Sequence, residues 1–305
     1  LAIETLVPVD ILSLEKGRQK YAMFTNNDGG ILDDLMIANR GDHLYIVVNA
    51  ACKESDLGHL KINLGDQFQI ELITDRSLIA LQGPLAEKTL AKLNPTVRKL
   101  KFMDSTTIQL LGNECWVSRS GYTGEDGFEI SIPNSSVNKI VKLLCDDDNV
   151  EMIGLGARDS LRLEAGLCLY GHDIDTNTSP AESNLNWAIQ KVRRTNGDRA
   201  GGFPGSERVL NELEFGTLKK RVGILPDGRA PMREGTILYS SDSREHPIGQ
   251  VTSGAFGPSI QKSMSMGYVL RDFSKLETLI YGEVRGKLMP AKVTSMPFKK
   301  PNYKR

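Results

Sequence analysis

Short apolar runs punctuated by Gly, Asn and Asp govern the first part of this chain, and they have the dimensions of strands. Runs at 21–25 and 31–39 flank Asn26-Asn27-Asp28-Gly29-Gly30, a composition suited to a hairpin turn. Gly41-Asp42 then turns the chain into 43–51, where Leu44-Tyr45-Ile46-Val47-Val48 is a buried-strand run, so the beginning reads as a three-stranded meander. Residues 2–14 lack a clear period and are expected as a short helix or irregular lead-in. A polar helix over 53–60 follows, then strands over 68–73 and 77–82, and a helix over 86–93 opened by Gly83-Pro84. Strands over 106–111 and 114–118 lead to the Gly-rich turn 121–127, which feeds an alternating strand over 128–132. Helices are expected over 137–145 and 158–165. The stretch 195–205 carries Asn196-Gly197, Gly201-Gly202 and Pro204-Gly205 and reads as a linker, with Ser206 capping a helix over 207–213. From Lys219 onward, short strands with turn signals near 227–235, 241–249, 253–259 and 285–288 suggest a small antiparallel barrel or sandwich.

Several positions stand out against this pattern. Asp33 and Asp34 interrupt an apolar strand, and because neighbouring strand residues face opposite sides, one carboxylate must point to the buried face unless the strand ends at Leu32. Glu129 alternates with apolar residues behind the loop 121–127, which fits a ligand loop or an ordinary solvent-facing side chain. Gly154-Leu-Gly-Ala-Arg-Asp-Ser-Leu-Arg162 opens a helix through glycines and places Arg158 and Arg162 one turn apart, with Asp159 in reach of Arg162. A cation at the positive end of a helix dipole points to an external anionic partner for Arg158, or to a neighbouring acid or loop.

Composition narrows the classes. Lys plus Arg and Asp plus Glu both number 38 in 305 residues, so no global field recruits nucleic acid or an anionic membrane. Cys52, Cys115, Cys145 and Cys168 show neither metal-type pairing nor a disulfide framework, which points to a reducing compartment. No apolar run approaches a membrane span. The motifs of P-loop, dinucleotide-binding, zinc-protease and serine-hydrolase enzymes are absent. The chain opens on Leu1 rather than Met, which is expected of a processed or shortened chain.

Taken together, Asn27-Asp-Gly-Gly-Ile-Leu-Asp-Asp-Leu35, Val47-Val-Asn-Ala50, Ala80-Leu-Gln-Gly-Pro84, Gly121-Tyr-Thr-Gly-Glu-Asp-Gly-Phe-Glu129, the segment from Gly154 to Gly166, Gly249-Gln-Val-Thr-Ser-Gly254 and Met296-Pro-Phe298 closely resemble the T-protein of the glycine cleavage system, mitochondrial type. The resemblance implies an α+β fold: a multi-lobed ring of antiparallel sheets with flanking helices, folate at its centre, and a C-terminal antiparallel β-barrel. It divides the chain into a folate-binding aminomethyltransferase region at 1–195 with an incomplete first lobe, a linker and helix at 196–215, and a barrel domain at 216–305. It implies transfer of methylene from the aminomethyl-dihydrolipoyl arm of H-protein to tetrahydrofolate, with release of ammonia. Tetrahydrofolate enters as substrate, the lipoyl arm comes with H-protein, and no metal is called for. Partners are H-protein and the other glycine cleavage components, and the setting is the mitochondrial matrix. Carried over by motif, Asp34 matches the catalytic aspartate, Glu129, Arg158 and Tyr303 match ligand-binding positions, and Asn49 and Tyr122 match folate contacts. Relatives carry several tens of residues before the point matching Leu1.

Competing readings are a folate-dependent demethylating relative, a non-enzymatic folate-binding paralogue and an inactive fragment. Nothing in the chain binds flavin. The paralogue's cysteine-bearing motif is replaced here by Ser120-Gly-Tyr-Thr-Gly-Glu-Asp-Gly127.

Overall fold

A computed structural model describes residues 1–305, and its contacts divide the chain into two units, each assembled from separate stretches. One unit comprises Leu1–Leu12, Ala22–Leu35 and Asp159–Lys300; the other comprises Ser13–Tyr21, Met36–Arg158 and Pro301–Arg305.

The second unit is built on a four-stranded antiparallel sheet in the order β4 (Arg76–Gln82), β7 (Gly127–Pro133), β6 (Asn113–Ser118), β5 (Ser105–Leu110). Alternation decides its faces. Phe128, Ile130 and Ile132 of β7 are fully buried on one side with Ile108, Leu110, Cys115 and Val117. Leu90 of α2 (Ala86–Leu93) and Ile140 and Leu144 of α3 (Asn134–Cys145) close that core. Each such aliphatic side chain contributes roughly 1.5–3 kcal/mol through burial. The opposite face of β7 carries Glu129 and Ser131. The helix α1 (Lys53–Leu64) runs a turn longer than the sequence pattern suggests.

The opening meander is present as β1 (Gln19–Thr25), β2 (Ile31–Asn39) and β3 (Leu44–Val47) in that order. The β1–β2 connection closes as a hairpin turn, with Asn26 N donating to Gly30 O at 2.9 Å and Asn26 Oδ1 accepting from Asp28 and Gly30. The strand expected over 68–73 does not form; that stretch is largely exposed and pairs with no strand. Its alternating apolar residues have the right period, yet a strand exists only with a ladder partner for its backbone.

In the first unit, six strands form a closed barrel in the order β10-β11-β8-β13-β12-β9. They are β8 (Lys219–Pro226), β9 (Ile237–Tyr239), β10 (Pro247–Gly257), β11 (Lys262–Leu270), β12 (Leu279–Val284) and β13 (Lys287–Thr294). Its filling is aliphatic, with Ile224, Leu238, Val269, Ile280 and Val293 fully buried. Residues 195–205 fold back onto the turn before them, as in Arg199 N to Val192 O at 3.0 Å. Ser206 is the first residue of α5 (Ser206–Phe215) rather than its cap; Gly205 holds the cap position at φ 70°. Glycine is required there, since a Cβ would stand 2.2 Å from Gly29 N.

Candidate active site

The loop 121–127 is clamped at both ends, and this aims Glu129. Buried Arg119 grips Asp126 of the loop through Nε at 3.0 Å and through Nη2, while its Nη1 donates to Leu100 O at 2.9 Å. Gln82 at the end of β4 donates to Ser120 O at 3.0 Å and to Phe128 O at 3.1 Å, and its Oε1 accepts from Thr123 at 3.0 Å. Gly121 passes so close to Gln82 that a Cβ would fall 1.8 Å from Oε1, so a larger residue there would have to displace the Gln82 amide from its bonds to the loop.

On the polar face of the sheet, Glu129 Oε2 accepts from Ser120 Oγ at 2.6 Å, and Ser120 in turn meets Ser118 Oγ at 2.9 Å. The carboxylate borders a narrow cleft of about 20 Å³, lined also by Tyr45, Val47, Leu78, Trp116 and Ser131. The Tyr45 ring meets Trp116 edge-on at 5.1 Å, and Arg76 lies 4.1 Å above the same indole. Burial pushes the Tyr45 phenol above its ordinary value, with the Ser131 hydrogen bond pulling the other way. The cleft sets one anion held by hydroxyls beside aromatic side chains, groups of the kinds that meet N–H donors and flat rings.

Arg158 lies near the exposed start of α4 (Leu155–Glu164), its guanidinium carbon 4.7 Å from the centre of the Tyr122 ring. Stacking on a ring face leaves the N–H edge of a guanidinium available to an anion. Glu129 and Arg158 thus engage different groups. Tyr303 stacks on Phe102 at 4.0 Å with planes 6° apart, and burial pushes its phenol up. Asn49 stands before α1, its carbonyl accepting from Cys52 N at 2.9 Å. The structure brings Tyr122 and Arg158 into contact, and places Glu129, Tyr303 and Asn49 in the same unit.

Asp34 belongs to the other unit. Strand alternation separates the two acids: Asp33 is 0 % exposed and Asp34 is half-buried, and both have interaction partners. The apolar run does continue through both acids. Nearby in charge terms is Cys168, a fully buried thiol pushed up to about 12, chiefly by burial; Arg221 opposes the rise and Asp173 and Asp34 add to it.

Arg162 anchors α4 in this unit. It is 2 % exposed, with Nε 2.8 Å from Asp159 Oδ1 as the spacing predicts and Nη2 2.8 Å from Ser253 Oγ. Asp173 Oδ2 receives Arg162 Nη1 at 2.5 Å and Ser253 Oγ at 2.9 Å, while its Oδ1 receives Thr252 Oγ1 at 2.5 Å. Successive strand residues ordinarily face opposite ways; a register shift between Val251 and Ser253 turns both hydroxyls onto one carboxylate. Tyr268 completes the set by donating to Asp173 O at 2.6 Å. Arg158 and Arg162, although one turn apart, therefore differ: one is exposed and the other sealed in.

Sequence reasoning missed Arg119, Ser120, Tyr45, Trp116 and Asp173. Asp173 lies seven residues beyond the resembling segment 154–166, and Ser120 directly before the loop; their positions were visible, their partners were not. No group of three or more His, Cys, Asp or Glu side chains is arranged to hold a metal, and no helix is long and apolar enough to cross a membrane.

Comparison with known proteins gives this geometry its context. The profile described as "GCVT N-terminal domain" matches residues 2–193, and "Glycine cleavage T-protein C-terminal barrel domain" matches 219–300. The mitochondrial aminomethyltransferase of Dictyostelium discoideum is 42 % identical over 319 residues, taking in 99 % of this chain and 78 % of that protein. The human mitochondrial aminomethyltransferase is 42 % identical over 310 residues, covering 99 % of this chain and 75 % of its own. The crystal structure of the glycine cleavage system aminomethyltransferase T from Bartonella henselae superposes with a TM-score of 0.90 at 38 % identity, across 99 % of this chain and 82 % of that one. Both parts of the chain match, and in the family's order: the chain belongs to the glycine cleavage T-protein family and is an aminomethyltransferase.

Proposed function

We propose that the chain accepts an aminomethyl group from the dihydrolipoyl arm of H-protein and passes its methylene to tetrahydrofolate, releasing ammonia, in the mitochondrial matrix alongside the other glycine cleavage components. The observation that carries the folate half is Glu129: Ser120 holds Oε2 at 2.6 Å, and the carboxylate stands on the polar face of the sheet beside Tyr45 and Trp116. The pterin ring has adjacent N–H donors that such a carboxylate accepts. Arg158, stacked on Tyr122, presents its N–H edge to the carboxylates at the other end of the folate, and Tyr303 and Asn49 complete the contacts.

Asp34 acts on the reacting atoms. As the carbon–sulfur bond opens, sulfur leaves as a thiolate and the transferred carbon becomes iminium-like; a half-buried carboxylate stabilises that cation and orients the attacking folate nitrogen. Attack forms the new carbon–nitrogen bond, and ammonia departs as the second folate nitrogen closes on the same carbon. The stretch 196–215 serves as the connection between the folate-binding region at 1–195 and the barrel at 216–305, a division supported by profile matches that end at 193 and resume at 219.

Titration with tetrahydrofolate followed by an ammonia-release assay on aminomethylated H-protein tests the proposal. Saturable binding and folate-dependent ammonia release are expected. Ammonia release indifferent to folate, or no folate binding, overturns it.

A further inference from the structure

The last five residues of the chain, Pro301–Arg305, belong to the same unit as the loop 121–127, although Asp159–Lys300, between them in sequence, lie in the other unit. Backbone bonds tie this tail down: Asn302 N donates to Gly124 O at 2.9 Å, and Phe102 N donates to Lys304 O at 2.7 Å. Tyr303, between those two points, lies flat on Phe102 at 4.0 Å. The side chain of Lys304 extends beyond the stack to Glu87 Oε2 at 2.7 Å and Arg98 O at 2.8 Å.

Glu87 sits in the first turn of α2, where the helix dipole favours an anion. Its Oε2 also receives Arg119 Nη1 at 2.7 Å. Arg119 is 1 % exposed and holds Asp126 with its other edge. One carboxylate oxygen therefore joins two segments distant in sequence, the loop that leads into Glu129 and the tail that carries Tyr303. A guanidinium buried to this degree requires its anions, so the Arg119–Glu87–Lys304 chain transmits a fixed geometry from the sheet to the tail.

We infer that Glu87 is a positioning residue for folate: bridging Arg119 and Lys304, it holds Tyr303 on Phe102 in register with the loop 121–127. The inference rests on the reading of Tyr303 as a folate contact. Glu87 itself touches no substrate. Its effect is on how much of the binding free energy is lost to ordering the tail when folate arrives, and it acts on affinity rather than on the bond-making step.

The test uses the 305-residue chain, tetrahydrofolate as ligand and aminomethylated H-protein as donor. Glu87→Gln keeps the shape and weakens both ionic contacts, and Lys304→Met cuts the outer one while leaving Arg119 paired. Both are expected to raise the folate Kd and KM by about threefold to tenfold, the range of a partly exposed charge-assisted pair, with kcat at saturating folate within about twofold. Amide exchange over 301–305 is expected to quicken in both, and Lys304→Arg to stay near the parent. Glu87→Gln and Lys304→Met leaving the folate Kd unchanged while Tyr303→Ala raises it overturns the inference and spares the role of Tyr303. A lowered melting temperature with Kd and KM unmoved marks Glu87 as structural only and also overturns it. If Tyr303→Ala leaves Kd unchanged, the folate role of Tyr303 falls and the positioning role falls with it.

Discussion

Arg162 Nη1 lies 2.5 Å from Asp173 Oδ2, with side-chain exposures of 3 % and 0 %, and this buried pair joins the motif helix α4 to the bulged barrel strand β10. Removing one partner leaves the other charge desolvated, so Arg162→Met is expected to destabilise the protein by about 3–5 kcal/mol. The double variant Arg162→Met with Asp173→Asn is expected to lose less than the sum of the single losses. Urea unfolding of the two single variants and the double checks this coupling; strict additivity removes the claim.

Of the two acids in β2, the fully buried Asp33 and the half-buried Asp34 are expected to fail in different ways. Asp34→Asn is expected to lower turnover by roughly 100-fold or more with folate affinity little changed. Asp33→Asn acts on stability. Paired measurement of kcat and unfolding free energy separates them, and equal kcat losses at both positions discard the assignment.

Glu129 and Arg158 meet Ser120 and Tyr122 rather than each other. Loss of a charge-assisted hydrogen bond costs about 1.5–3 kcal/mol, so Glu129→Gln or Arg158→Met is expected to weaken folate binding by roughly tenfold to a hundredfold. Ser120→Ala is expected to cost less, because Glu129 keeps its charge. Calorimetric titration of the three variants decides; parent-like affinity in Glu129→Gln contradicts the folate reading.

Burial raises the Cys168 thiol from its ordinary 9.0 to about 12. A raised pKa means the folded chain holds its proton more tightly, so this contribution is complete below pH 9 and declines as pH climbs toward 12. The decline is about 1.4 kcal/mol per pH unit in that window. Tyr268, raised in the same direction by burial, adds to it above its own ordinary value of 10.0. Unfolding free energy followed through the alkaline limb is expected to fall less steeply in Cys168→Ala than in the parent; identical slopes refute the thiol's part. Alkylation of Cys168 at neutral pH is expected only once the chain unfolds.

Local pattern alone was enough for the meander, for the separate strands and two helices that make up the four-stranded sheet, and for the strand-and-turn character of the last part, because strand period and turn chemistry are properties of neighbouring residues. The motifs were likewise enough for the family. Pattern failed at 68–73, where alternation is present but no partner strand supplies a ladder, and at Ser206, where a close backbone approach to Gly29 made Gly205 the cap. Only tertiary structure decided that Arg158 stays at the surface while Arg162, one turn away, is sealed against Asp173. Only it turned Thr252 and Ser253 onto one carboxylate, and joined Glu87 to Lys304 across 217 positions of sequence. The physical reason is the same in each case: a side chain's charge state, burial and aim depend on atoms brought near by the fold, and those atoms lie outside any window of sequence that sets the local backbone.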